Sequence, residues 1–100
     1  MVAAPYFVAL KLEAFEERGE GDFLTSTDFE DVICLFNGRP SIVDEISSAR
    51  DLREVLASKF RAYLQSQDVE DAVEGFAQTE RQPERCKRTI LERFTTVAAL

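Results

Sequence analysis

The sequence predicts an all-α fold, a small bundle of about five to six helices with no sheet. Apolar residues recur at three- and four-residue spacing through most of the chain. No run of four or more β-branched or aromatic residues alternates with polar ones, so no strand is expected. The breaks between periodic stretches carry the glycine, proline and small polar residues that end and start helices. The chain has 100 residues, 45% of them hydrophobic, with four glycines and three prolines. That is enough for one core, and the expected organisation is a single helical domain over 1–100. Residues 1–38 form a motif-bearing helix pair and 39–100 a helical packing segment.

The first helix runs from Pro5, which suits a first-turn position, to Arg18, with Phe7, Val8, Leu10, Leu12, Ala14 and Phe15 at helical spacing. Gly19 and Gly21 stop it. A second helix is expected from Thr27, whose hydroxyl pairs with Glu30 in a capping box, and its stripe is Phe29, Val32, Ile33 and Phe36. Asn37-Gly38-Arg39-Pro40 reads as its end, with a left-handed cap and a proline beyond it. Ser41 caps a short third helix carrying Ile42, Val43 and Ile46. The fourth, from about Asp51 to Gln65, shows Leu52, Val55, Leu56, Phe60, Tyr63 and Leu64 on one face. Val69, Ala72, Val73 and Phe76 mark a fifth helix. Pro83 opens a sixth bearing Cys86, Ile90, Leu91, Phe94, Val97 and Ala98. The stretch from Gln78 to Gln82 is the one weak candidate for a boundary.

Composition excludes several chemistries. With no histidine, Ser-His-Asp and Cys-His activation, histidine-ligated zinc and a histidine pH switch are ruled out. Two cysteines are too few for a disulfide scaffold or a Cys-only zinc site, and Cys34 and Cys86 read as reduced core residues of a cytoplasmic protein. The net charge of −7 is concentrated in residues 1–38, where eight acids face only Lys11 and Arg18. An acidic first third without a basic stripe argues against direct nucleic-acid binding. The cationic stretch Arg81, Arg85, Lys87, Arg88 and Arg93, interrupted by Glu84 and Glu92, reads as a solvated helix face. The apolar residues 1–10 are too few to span a bilayer and lack the basic start of a signal peptide, so no membrane association is expected.

One constellation stands out. Lys11 lies among Phe7, Ala14 and Phe15, interrupting what should be a core face. Arg18, seven positions on, is about 20° short of two full turns away and about 10 Å further along the axis, so both cations share one side. Asp28 and Asp31 share a face near the start of the next helix. Two cations facing two carboxylates can order one another and hold a phosphate-bearing ligand or its metal. The same residues also have a plain structural explanation, as dipole complements and a snorkelling lysine. Gly19 and Gly21 are not followed by Gly-Lys-Ser/Thr, and Glu20 and Asp22 would repel phosphate, so no phosphate-cradling loop is read there.

These residues carry a family resemblance. Tyr6-Phe7-x-x-x-Lys11-Leu12-Glu13-Ala14-Phe15-x-x-Arg18-Gly19-x-Gly21-Asp22-Phe23-Leu24, then Ser26-x-Asp28-Phe29-Glu30-Asp31-Val32-Ile33, then Gly38-Arg39-Pro40, resembles the C-terminal helical half of AbiEii-like nucleotidyltransferase proteins. That family is similar to the minimal nucleotidyltransferases and includes toxins of toxin–antitoxin pairs. The resemblance spans about Ala4 to Gly75 and rests on a lysine and arginine separated by six residues, with an aspartate opening the following helix. It implies that Lys11 and Arg18 serve nucleotide phosphates and that Asp28 or Asp31 orients them. It also implies a catalytic half with a Gly-Ser turn and an Asp-x-Asp pair holding magnesium. Neither motif occurs in this chain. No catalytic residue, metal ligand or cofactor is therefore expected of the chain alone; magnesium and a nucleoside triphosphate would come into play only with the missing half.

The expected role is thus a truncated or separately encoded helical portion of a nucleotidyltransferase-like protein, inactive by itself. Its expected partner is the N-terminal half, or a second copy through apolar surface at Phe7, Phe15 and residues 1–10. The alternative is a non-enzymatic α-helical protein–protein interaction module in which Lys11 and Arg18 only make ion pairs.

Overall fold

Six helices and no strand make up the computed structural model, which describes residues 3–18 and 22–100. They are α1 (Ala4–Arg18), α2 (Thr27–Gly38), α3 (Ile42–Ser48), α4 (Arg50–Tyr63), α5 (Gln67–Ala77) and α6 (Pro83–Ala98). The all-α expectation is met. Helix α6 packs against α2, α3, α4 and α5, while α1 lies across α2, α3 and α4. The glycine stop at 19–21 lies outside the described residues, as do the first two positions of the apolar start.

All six helices feed one core. Its centre is aromatic: the Phe94 ring lies 4.8 Å from Phe36, 4.9 Å from Phe60 and 6.2 Å from Phe29 between centroids. From Phe29 the cluster continues to Phe15 at 5.3 Å and to Phe23 at 4.8 Å. Tilted and edge-on pairs at such spacings add to the gain from burial. Truncating Phe94, which meets rings from two other helices and is fully buried, removes about 3–5 kcal/mol. The radius of gyration, 12.4 Å, is that of a compact chain of this length.

Several local expectations are corrected. On α1 the buried stripe is Ala4, Val8, Leu12 and Phe15. At 100° per residue, Lys11 lies about 60° from its centre and Leu10 on the opposite side. Lys11 therefore flanks the core face instead of interrupting it. Phe15, expected at an exposed partner surface, is 1% exposed because it ends this stripe, whereas Tyr6 and Leu10 are exposed. Helix α2 is capped by Ser26, not Thr27: the Ser26 Oγ accepts from the Phe29 amide at 3.2 Å, a bond with the same three-residue reach one position earlier.

Helix α2 also ends differently. Gly38 belongs to the helix, and Arg39 closes it in an extended conformation (φ −124°, ψ 90°), so no left-handed residue is used. Ser41 precedes α3 but makes no cap hydrogen bond, its hydroxyl donating instead to Glu45. Cys34 is exposed and Cys86 only partly buried. Cys34 falls about 150° from the Phe29, Val32, Ile33 and Phe36 stripe, so the core expectation fails there. Val55 is exposed for a related reason, sitting about 90° from the centre of the Leu52, Leu56, Phe60 and Tyr63 face.

Candidate functional site

The four charged residues singled out from the sequence meet at the α1–α2 contact. Their convergence follows from the two buried stripes. Lys11 and Arg18 flank the core face of α1 on one side, and Asp28 flanks that of α2, so packing the stripes together brings the flanks together. Lys11 Nζ is 2.8 Å from Asp31 Oδ2 and 3.8 Å from Asp28 Oδ1. Arg18 Nη2 donates to both oxygens of Asp28, at 3.1 and 3.3 Å. The Asp28 side chain, 13% exposed, is the inner member; Arg18, 72% exposed, is the outermost.

Lys11 is 30% exposed and its ammonium lies 5.5 Å from the centre of the Phe7 ring. Its hydrogen bond to Asp31 raises its pKa above the ordinary lysine value against the opposing effect of burial, so the ammonium stays charged. An ammonium has three donors, and Asp31 accepts the closest one. The set of two cations and two carboxylates is neutral overall.

Beside it, a depression is lined by Arg18, Asp22, Thr25, Ser26, Thr27 and Asp28. Most of its polar groups are already committed. The Asp22 carboxylate accepts from the Leu24 and Thr25 amides at 3.0 and 3.3 Å and from the Thr25 hydroxyl at 2.6 Å, which holds its pKa below the ordinary value. Asp22 thus shapes the turn before α2. Ser26 is occupied with its cap. Among the described residues no three acidic or thiol side chains gather where they could share a metal ion. Asp28 and Asp31 are turned to ammonium and guanidinium groups, so this arrangement does not fit magnesium.

Two features escaped the sequence reading. Glu16 of α1 binds Lys59 of α4 at 2.7 and 2.8 Å and also accepts from the Tyr63 hydroxyl. Burial pulls the Glu16 pKa upward, but Lys59 and Tyr63 together hold it below the ordinary value. This pins α1 to α4 on the side away from Asp28. The second feature is a groove of about 330 Å³ between α2 and α5. Phe23, Leu24, Ile33, Ala72, Gly75 and Phe76 line it together with Ser26 and Thr79, and Glu30 and Asp71 are its charged lining residues. Ala72 and Phe76, expected as apolar positions of the fifth helix, both line it.

No family model matches the chain, and no curated protein or solved structure matches it.

Proposed function

We propose that the chain is the helical C-terminal portion of a nucleotidyltransferase-like protein, supporting nucleotide-phosphate binding without carrying the transfer chemistry. One observation carries the reading: Lys11 and Arg18 are held by Asp28 and Asp31 in one network across α1 and α2, the pairing that the resemblance implies. Lys11 presents an ammonium that stays charged and still has donor capacity for a phosphate oxygen. Asp31 and Asp28 anchor it, and Arg18 adds a second, more exposed cation at the solvent edge. Orienting a cation in advance lowers the entropy that phosphate binding would otherwise cost. Transfer itself requires carboxylates that hold magnesium against the phosphates, and these belong to the Gly-Ser and Asp-x-Asp half. Such a half, in the cytoplasm, is the partner in this reading.

Nuclear magnetic resonance titration with a magnesium nucleoside triphosphate tests the proposal. The expected result is saturable shifts at Lys11, Arg18 and the first turn of α2, lost in Lys11→Met. Shifts that are absent, or that persist unchanged in Lys11→Met, contradict it.

A second reading, an α-helical interaction module without a nucleotide ligand, is favoured by the neutrality of the same network. Both cations already face carboxylates, so little positive potential is left for a phosphate. The titration separates the two readings.

A further inference from the structure

The groove between α2 and α5 is lined by none of the four charged residues of the Lys11 network. Leu24, at its mouth, is 56% exposed although it is a large apolar side chain in a turn already ordered by Asp22. Phe23 and Phe76 are only partly covered beside it. Gly75 is exposed in the lining, and a Cβ added there would meet nothing within 4 Å, so a side chain fits there without displacing a neighbour.

The charge around this apolar lining has one sign. Glu30 and Asp71 are its charged lining residues, and no lysine or arginine lines it. Neither carboxylate takes part in an ion pair among the described residues. The Asp71 carboxylate accepts only a 3.3 Å hydrogen bond from Gln67. Elsewhere on the same helix, Glu70 and Glu74 lie 3.3 and 3.8 Å from Lys87 of α6. The two acids lining the groove thus stand without a counter-charge within it.

We infer that the α2–α5 groove is a docking site for an amphipathic segment of a partner protein, one that inserts a leucine or phenylalanine between Phe23 and Phe76 and sets lysine or arginine against Glu30 and Asp71. A groove of this volume takes one or two large side chains, the anchor pattern of a helix laid into an apolar channel. Unpaired carboxylates in the lining favour a basic segment and repel an acidic one. The site stands whether or not Lys11 binds phosphate, because none of Lys11, Arg18, Asp28 and Asp31 lines the groove.

Titration of the whole chain with a synthetic helical peptide of about sixteen residues, built from leucine, alanine and lysine, tests the inference. A matched peptide with glutamate for lysine is the control. Saturable amide shifts should centre on residues 23–33 and 71–79. Gly75→Leu adds a large side chain to the lining, and because leucine is a far better helix former than glycine the variant should unfold at a urea midpoint at or above that of the wild type. It should weaken the lysine peptide about tenfold or more, as expected for loss of a buried anchor. Glu30→Lys with Asp71→Lys should weaken it similarly while leaving the fold unchanged. The inference is overturned by any of three results: no saturable shift, equal binding of the glutamate peptide, or shifts centred on the exposed Tyr6 and Leu10. Concentration-dependent self-association that Gly75→Leu abolishes would also overturn it, since the occupant would then be a second copy.

Discussion

Arg18 reaches both oxygens of Asp28 through a single nitrogen, Nη2, and so ties the last residue of α1 to the first turn of α2. The guanidinium is 72% exposed, and exposed ion pairs contribute little because water and salt screen them. Arg18→Gln should therefore lower stability by about 1 kcal/mol or less. Asp28→Ala should cost more than Arg18→Gln, because Asp28 is the better buried partner and both cations face it. Chemical denaturation of the two variants checks the order; a larger loss for Arg18→Gln would show that the ion pair itself bears the contact.

The two cysteines should separate cleanly in a thiol-modification experiment. Cys34 is exposed on the outer face of α2. The Cys86 Sγ donates to the Asn37 Oδ1 at 3.3 Å, and burial followed by the nearby Glu80 charge pushes its pKa up, which lowers its thiolate fraction. One thiol should react quickly in the native protein and the second slowly until denaturant is added. Cys34→Ser should remove the fast phase. Two equally slow thiols would contradict the exposed placement of Cys34.

Glu45 should titrate far below an ordinary glutamate. Arg39 grips it with Nε and Nη2 at 2.6 and 2.8 Å, and the Ser41 hydroxyl adds a 2.8 Å bond, which lowers its pKa from 4.5 to about 2. A carboxylate with a depressed folded pKa contributes stability that is present above its unfolded value and lost as pH falls through the folded one. Here that window runs from 4.5 down to about 2. The Glu45 carboxyl carbon resonance should therefore move only near the bottom of that range. In Arg39→Gln it should move back toward 4.5, with only Ser41 left to hold it. Ordinary titration in the wild type would rule the grip out.

How far the sequence could be read depended on whether a feature is local. Helix existence is local: the stripes of α2 and α6 were visible as spacing, and Pro83 stands at the first turn of α6. The meeting of Lys11 with Asp28 and Asp31 was legible because two neighbouring helices share one contact. Single-residue detail was less so. Ser26 and Thr27 are both good caps, and only the backbone turn set by Asp22 chooses Ser26. Residue type points Cys34 to the core, although its angle on α2 places it outside. The Glu16 contact with Lys59 and the α2–α5 groove join residues more than forty positions apart, or two non-consecutive helices, and no spacing rule within one helix reports them.

The account turns on what Lys11 is for, and Lys11→Met measures it. If Lys11 is held out for a phosphate, its loss removes a pair with the half-exposed Asp31 and places an apolar side chain beside Phe7, while Arg18 still faces Asp28. The urea midpoint of Lys11→Met, compared with the wild type at unchanged slope, should be equal or higher. A clear fall in the midpoint would mean that Lys11 serves the fold as an ion-pair partner, and the phosphate role would lose its support.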